Sequence, residues 1–353
     1  MWEDFMRGNW PVAAPATPVT PTSHRVADAV TANAEPRAKV SPGPKRVAVK
    51  AAIVAGAALL LGSLVPTVAI ADGNAATHGH PAGHVTSGLD GPLVALGDSY
   101  AAGNLIPRSP AGSPGGCLRS TRNYAADVAG ALHIRYVDAA CTGAKLADMT
   151  APEPVLLGTD PPQLNALAAN DAVVTLTIGG NDIGFAKILV TCAALSFTRP
   201  WSDPCERHYT SDGTDRIAAA IRAEAPRIGA LLRDIHAGAP RARVLVVGYP
   251  DILPNTGRGC FPVVPFAQGD VPYLRHSEIE LNQMLATEAA ANGARFVDTY
   301  LATIGHDACS AGNVRDVEGL IPTSPAYPFH PNQRGQQVMA GQVLAALRAA
   351  GIS

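Results

Sequence analysis

The chain has 353 residues, of which 47% are hydrophobic, so it is long enough and apolar enough for one large domain or two small ones. Its 27 basic and 29 acidic residues give a formal net charge of −2, and the basic residues are scattered along the chain. Nucleic-acid-binding proteins carry clustered basic residues, so we expect no nucleic-acid partner.

The first 71 residues differ in composition from the rest. A basic cluster at 45–50 precedes an uncharged stretch, 51–71, that closes on Ala-Ile-Ala before Asp72. A basic region, an apolar region and a small-x-small site are the parts of a secretory signal. We predict an N-terminal extension and signal peptide over 1–71 with cleavage near Ala71, and a protein that is secreted or associated with the cell envelope.

A retained membrane anchor is the alternative, since about 20 apolar residues can span a bilayer. Pro66 and the high Ala and Gly content of the stretch favour cleavage. The residues ahead of Arg46 are too many for a usual n-region, which leaves a downstream start or a cytoplasmic extension open. Residues 72–91 lack periodicity and are predicted to be a flexible lead, so the folded domain spans 92–353.

Six cysteines follow the proposed cleavage site: Cys117, Cys141, Cys192, Cys205, Cys260 and Cys309. None forms the C-x-x-C pair that typically holds zinc. An oxidising compartment favours three disulfides, although spacing alone leaves their pairing open.

Short apolar runs alternate with segments of helical period along the domain. The runs are Leu93 to Leu96, Ile134 to Ala140, Val173 to Ile178, Val244 to Gly248 and Arg295 to Val297. The helical segments are Asn123 to Leu132, Thr214 to His236, Tyr273 to Asn292 and Pro331 to Ala350. Continuous apolar strands between helices are typical of a parallel sheet covered on both faces, so an α/β fold is predicted. The Cys-containing stretches Cys192 to Asp212 and Leu253 to Pro272 are predicted to be long loops.

Ser99 lies in Gly97-Asp98-Ser99-Tyr100, directly after the first predicted strand. The carboxyl edge of a parallel sheet is where ligands bind, and a serine at a helix N-terminus presents its own N–H to an anion. A simple turn with a helix cap has the same appearance.

Two further motifs are predicted at the same edge. Asn181 in Gly-Gly-Asn-Asp follows the third run, and its side-chain amide could hold an oxyanion. His330 in His-Pro-Asn precedes the last helix, where it could serve as a base. Each motif alone also fits an ordinary turn or a structural histidine.

Together these residues resemble the four sequence blocks of the SGNH (GDSL) hydrolases. Ser99 matches the nucleophile block, Gly143 in Ala-Cys-Thr-Gly-Ala the glycine block, Asn181 the asparagine and His330 the histidine. The resemblance covers about 93–347. It implies a flavodoxin-like three-layer α/β/α fold with a central parallel sheet, and ester hydrolysis as the reaction.

The sequence departs from the family pattern at two positions. Tyr100 stands where the family name has Leu, which is a common variation. Tyr327 stands where the family usually has an Asp, three residues before the histidine. A secreted actinobacterial lipase/esterase branch with three disulfides similarly lacks this Asp and works with a Ser-His dyad. That likeness implies that the Tyr327 backbone carbonyl accepts the His330 Nδ1–H.

The same branch implies sequential disulfides, Cys117–Cys141, Cys192–Cys205 and Cys260–Cys309. Asp298, Asp307 and Asp316 are alternative acids, which we rank below a carbonyl because a carbonyl can fix the tautomer and ring orientation.

The expected mechanism has Ser99 attack an ester carbonyl while His330 takes its proton. The oxyanion would be bound by the backbone N–H groups of Ser99 and Gly143 and the side chain of Asn181. No cofactor or metal is expected. We expect a monomer that acts on small-molecule or lipid esters and could contact a membrane or the cell envelope transiently.

Two other functions stay open. A deacetylase of acetylated polysaccharide or cell-envelope sugars would use the same residues, and an exported binding protein could keep the fold without catalysis. The apolar residues after Asn181, including Ile183, Phe185, Ile188 and Leu189, could line an acyl groove. We favour the interpretation that they pack a helix against the sheet.

Overall fold

A computed structural model describes residues 89–156 and 158–352. The predicted extension and signal peptide over 1–71, and the predicted lead up to residue 88, lie outside the described residues. Within the described part, no helix combines the length and apolar character needed to cross a membrane.

The strands follow the apolar runs of the sequence. They are β1 (Leu93–Gly97), β2 (Tyr136–Asp138), β3 (Glu153–Val155), β4 (Gly158–Asp160), β5 (Val173–Thr177), β6 (Arg243–Val247) and β7 (Arg295–Val297). Five of them form one parallel sheet in the order β2-β1-β5-β6-β7, and β3 pairs with β4 in a small antiparallel hairpin. Counting only the sheet strands, this is the flavodoxin-like order.

The helices are α1 (Ser99–Ala102), α2 (Tyr124–Leu132), α3 (Phe185–Ser196), α4 (Pro204–Tyr209), α5 (Arg216–Gly238), α6 (Asp270–Ala291), α7 (Tyr300–Thr303) and α8 (Gln333–Ala349). The four helical segments of the sequence correspond to α2, α5, α6 and α8. Asn123 and Asn332 cap α2 and α8, since each side chain accepts a backbone N–H from the first turn.

Both faces of the sheet are buried. Leu93 and Ala95 of β1 pack on one side with α2 and α8, whereas Val94 and Leu96 pack on the other with α5 and α6. Successive strand residues point to opposite faces, so a strand covered on both sides must be apolar throughout. The predicted three-layer α/β/α fold is therefore confirmed.

Two predictions about the loops need correction. The stretch from Cys192 to Asp212 is not a long loop, because α3 extends through Ser196 and α4 occupies Pro204–Tyr209. Leu253 to Pro272 is irregular only as far as Asp270, where α6 begins. The β3–β4 hairpin was not predicted because its strands are short and Pro154 interrupts one of them.

Three disulfides join Cys117 to Cys141, Cys192 to Cys205 and Cys260 to Cys309. This is the sequential pairing that the family resemblance implies. The first bridge lies beside the glycine block, and the second links α3 to α4.

Candidate active site

The site lies at the carboxyl edge of the sheet, where β1 and β5 are neighbours. The chain turns in opposite directions from these two strands, since β2 lies beyond β1 and β6 lies beyond β5. Such a switch point leaves a crevice for ligands in parallel α/β sheets. Ser99 follows β1 and Asn181 follows β5, so both residues border this crevice.

Ser99 is the first residue of α1, and a short turn at Gly97 and Asp98 joins it to β1. Asp98 caps α1 by accepting the Tyr100 N–H at 2.9 Å. Gly97 has φ +138°, and a Cβ there would approach the Thr177 carbonyl oxygen to 2.2 Å, so only glycine fits. The Gln163 side chain pairs with both the N–H and the carbonyl of Gly97, at 2.7 and 2.9 Å. Gln163 lies in no recognisable sequence motif, so its role beside Gly97 was not predicted.

The structure brings Ser99 and His330 together across 231 residues of sequence. Ser99 Oγ lies 2.8 Å from His330 Nε2, and both residues are buried. This is the distance at which an imidazole can accept a serine hydroxyl proton.

The carbonyl that orients His330 is not the predicted one. His330 Nδ1 lies 2.8 Å from the Pro328 carbonyl oxygen. The Tyr327 carbonyl instead accepts the backbone N–H of His330 at 3.1 Å, which closes a tight turn. Phe329 has φ +61°, and proline followed by a positive φ is typical of a type II turn, in which the middle peptide is flipped. Because the Tyr327 carbonyl is used to close the turn, the flipped Pro328 carbonyl is the one available to the imidazole.

Burial lowers the pKa of His330 to about 4, and the hydrogen bond with Pro328 opposes this shift only in part. The imidazole is therefore neutral at physiological pH, which is the form a general base requires.

Three carboxylates considered as alternative acids are engaged elsewhere. Asp298 accepts the Leu301 N–H, Asp307 accepts the Cys309 N–H and Asp316 pairs with Arg334. Within the described residues, none of the three forms a hydrogen bond with His330.

Gly143 and Asn181 border the same cavity as Ser99. Gly143 has φ +96°, which favours glycine. Asn181 Nδ2 donates to the Ala144 carbonyl at 3.0 Å, so the amide is fixed against the glycine block. An amide nitrogen carries two hydrogens, and the second remains for a ligand. Asp182 also joins the asparagine block to the residues after the glycine block, because its carboxylate accepts the Leu146 N–H.

A buried tyrosine connects the nucleophile block to the asparagine block. The Tyr249 hydroxyl donates to Asp98 Oδ2 at 2.6 Å and accepts the Gly180 N–H at 2.9 Å. Burial raises the pKa of Asp98 to about 7, and the bond from Tyr249 counteracts part of that rise. Asn282 fixes the Tyr249 backbone through two hydrogen bonds. Tyr249 was missed because it follows β6, far from either block in the sequence.

Tyr100 supports the histidine. Its hydroxyl donates to the Phe329 carbonyl at 2.6 Å, and its ring centroid lies 4.5 Å from that of His330. From the sequence, Tyr100 is only a common variation of the family motif. Its position shows that it contacts the turn that presents His330.

A cavity of about 530 Å³ opens beside Ser99 and His330. Its walls are mostly apolar and come from α3, α6 and the irregular segments 253–269 and 319–330. The residues after Asn181 line this cavity as well as packing on the core: Ile183, Phe185, Ile188 and Leu189. The sequence-based preference for helix packing alone was therefore incomplete.

Comparison with known proteins identifies the family of this chain. The GDSL-like Lipase/Acylhydrolase family model matches residues 95–338. The chain belongs to this family. It is 38% identical over 280 residues to Lipase 2 of Streptomyces coelicolor, which covers 78% of this chain and 91% of the relative.

Two solved structures share the fold of this family member. One is phospholipase A1 from Streptomyces albidoflavus, with a TM-score of 0.59 and 28% identity over 74% of this chain and 99% of that one. The other is the extracellular lipase of Streptomyces rimosus, with a TM-score of 0.58 and 27% identity over 72% and 99%. The chain is a carboxylic ester hydrolase of the lipase/esterase type.

Proposed function

We propose that Ser99 and His330 form the catalytic dyad of an ester hydrolase that works through an acyl-enzyme. The observation that carries this proposal is the 2.8 Å contact between Ser99 Oγ and His330 Nε2. His330 takes the hydroxyl proton as Ser99 attacks the ester carbonyl, then returns it to the leaving alcohol. Water repeats the step on the acyl-enzyme, and the Pro328 carbonyl holds the imidazole tautomer.

The oxyanion is bound by the Ser99 and Gly143 N–H groups and the Asn181 side chain. Donors fixed before the reaction stabilise developing charge without reorganising. The bonds from Asn181 to Ala144 and from Tyr249 to Asp98 support this role, because they fix the donor loops relative to the serine.

The substrate is an ester with a long acyl chain, of the lipid class. The apolar walls of the cavity beside Ser99 support this choice, since a buried chain gains free energy in proportion to its apolar area. A phospholipase and lipases among the similar proteins point the same way. A sugar deacetylase would need polar groups in that space.

The domain spanning 92–353 acts as a secreted or envelope-associated monomer after cleavage near Ala71. The three disulfides support an oxidising compartment.

A panel of p-nitrophenyl esters from acetyl to palmitoyl tests both the reaction and the substrate. We expect kcat/KM to rise with chain length and Ser99→Ala to lower kcat by about 10⁶-fold, as when another serine hydrolase loses its nucleophile. A fluorophosphonate probe should label the wild type and not Ser99→Ala. Activity confined to acetyl esters would favour the deacetylase, and an unlabelled wild type would favour a binding protein.

A further inference from the structure

Most of the exposed large apolar side chains in the described part of the chain lie in three segments that contribute to the cavity walls. Eleven large apolar side chains are exposed in the described part of the chain, and seven of them lie in three segments, 183–202, 253–269 and 319–330. These seven, which we call the apolar rim, are Val190, Phe197, Trp201, Val263, Leu320, Ile321 and Tyr327.

The three segments are neighbours in space. The rings of Phe197 and Phe261 are 5.7 Å apart, which joins the first segment to the second. The Gln268 N–H also donates to the Pro200 carbonyl at 2.9 Å. Phe266 and Phe329 lie 5.5 Å apart and join the second segment to the third.

The apolar rim borders the catalytic groups. Val190, Phe197, Leu320 and Tyr327 line the cavity and are also exposed, so they lie where the cavity meets solvent. The Tyr327 ring is 5.4 Å from the imidazole of His330. Trp201, Val263 and Ile321 are 79%, 63% and 80% exposed and do not line the cavity.

The charge of these segments is opposite in sign to that of the chain. Within their bounds they contain Lys187, Arg199 and Arg258 and no Asp or Glu, although acidic residues outnumber basic ones overall. All three basic side chains are exposed. The acidic residues directly beside these bounds have buried side chains, at Asp182, Asp270 and Glu318, or pair with a basic residue, as Asp203 does with Arg207. An apolar patch bordered by Lys and Arg is typical of proteins that lie on a membrane with anionic lipids.

We propose that the apolar rim and these three basic residues form a docking surface for anionic phospholipid bilayers. The apolar side chains enter the headgroup boundary while Lys187, Arg199 and Arg258 contact lipid phosphates. The mouth of the cavity then faces the lipid, so an acyl ester can reach Ser99 without crossing water. This inference rests on the proposed function, which makes the cavity an acyl site.

A second copy of the chain is the less favourable occupant. A two-fold dimer places the same patch against itself, so the three positive charges of each copy would face those of its partner. A bilayer bearing negative charge complements the patch instead, and it also carries the substrate.

The test measures binding in the Ser99→Ala background, so that hydrolysis does not alter the lipid. Sedimentation with vesicles of phosphatidylcholine and phosphatidylglycerol should show binding that exceeds binding to pure phosphatidylcholine. The triple variant Lys187→Glu, Arg199→Glu, Arg258→Glu should bind the mixed vesicles roughly 100-fold more weakly, at about one kcal/mol for each basic residue near the surface.

A matched control reverses three exposed arginines at the opposite edge of the sheet. Arg135, Arg243 and Arg295 lie just before or at the first residues of β2, β6 and β7. Their combined change to Glu alters the net charge equally, and we expect binding within about twofold of the parent. Equal weakening in both triple variants would overturn the docking surface, since binding would then follow net charge alone.

The apolar part is tested by the triple variant Trp201→Glu, Val263→Glu, Ile321→Glu, with Leu301→Glu as the control because Leu301 is exposed outside the three segments. The first should lose binding to both vesicle types and the second should not. If the apolar variant fails to fold, the basic variant still decides the question, since surface lysine and arginine changes are tolerated. Light scattering that showed a dimer dissociated by the apolar variant would instead assign the surface to a second copy.

In the Ser99 background, all these variants should hydrolyse soluble p-nitrophenyl acetate at the wild-type rate. If the parent protein hydrolyses p-nitrophenyl acetate but shows no preference for the mixed vesicles, the docking surface alone is overturned. If it binds the mixed vesicles but does not hydrolyse the ester, the proposed dyad alone is overturned.

Discussion

Ser99 and His330 reach their common hydrogen bond from two very different parts of the fold. Ser99 is the first residue of α1 and comes directly after β1 and the cap Asp98, where strand pairing and the helix cap fix the backbone. His330 follows an irregular stretch without a regular strand or long helix, and its turn is attached to residues 316–318 by a short group of backbone contacts outside the sheet. One of these is the isolated bridge between Val317 and Pro331, and another is the bond from the Phe329 N–H to the Glu318 carbonyl.

We call β1, α1 and the residues that follow β5 the serine side, and the segment 319–332 the histidine side. The two sides position their catalytic groups by different numbers of contacts. On the serine side, many cooperative backbone bonds hold the nucleophile and the oxyanion donors, so one lost contact moves them little. On the histidine side, a few hydrogen bonds decide where the imidazole points. Removing a group that touches the substrate should therefore be costly on the serine side, and removing a supporting contact should matter more on the histidine side.

After loss of the nucleophile itself, the largest effect on the serine side is expected from Asn181→Ala. Loss of one oxyanion donor lowers kcat by about 10²- to 10³-fold because the donor acts mainly in the transition state. KM for a p-nitrophenyl ester should change little. Asn170→Ala, at an exposed loop position, is the control and should be neutral. A change in KM with kcat intact would mean that Asn181 binds the ground state and not the oxyanion.

On the histidine side, the pH dependence of kcat/KM tests whether the turn keeps the imidazole buried. Burial lowers the pKa of His330 from 6.5 to about 4, and only the neutral form can accept the serine proton. We expect kcat/KM to stay level as the pH falls to about 5, and then to drop about tenfold per unit below about 4. Asp98 has a pKa raised to about 7 by burial and could also titrate.

The variant Asp98→Asn separates these two groups. Asn is an equally good helix cap, so α1 should persist. An acid limb that survives in this variant belongs to His330. A wild-type midpoint close to 6.5 would show that water reaches the imidazole, contrary to its buried position.

A smaller effect should distinguish supporting contacts on the two sides. Tyr100→Phe removes the hydroxyl bonded to the Phe329 carbonyl and keeps the ring beside His330, and we expect kcat to fall about tenfold, the value of one hydrogen bond. Tyr124→Phe is the matched control, because Tyr124 is buried and its hydroxyl bonds to Thr177. Both variants should lose similar thermal stability. Equal kcat in the two would mean that Tyr100 only stabilises the fold.

The sequence predicts the serine side better than the histidine side because the serine side is built on regular strands and helices. Apolar runs mark the strands, and the motifs that follow β1 and β5 must then meet at one sheet edge. The Tyr249 bridge depends on a contact between residues 151 positions apart, which no local pattern contains. The prediction that the Tyr327 carbonyl accepts from His330 was wrong because the peptide between Pro328 and Phe329 is flipped. The positive φ of Phe329 goes with this flip, and the sequence does not show it. The helices in the Cys192 to Asp212 stretch were missed because Pro and Cys suggested a loop.

The smallest expected effect tests whether the histidine side works without a carboxylate. Asp298→Asn, Asp307→Asn and Asp316→Asn should each keep kcat within about twofold, since these side chains bond elsewhere and the Pro328 carbonyl already accepts from His330. Asn preserves the size of each side chain, so thermal unfolding can confirm that the fold is intact before turnover is compared. A carboxylate that stabilised the imidazolium would reveal itself by a loss of about 10⁴-fold, as when a triad acid is replaced. Such a loss at one position would mean that the protein rearranges on binding substrate, and that the carbonyl-oriented histidine belongs only to the free enzyme.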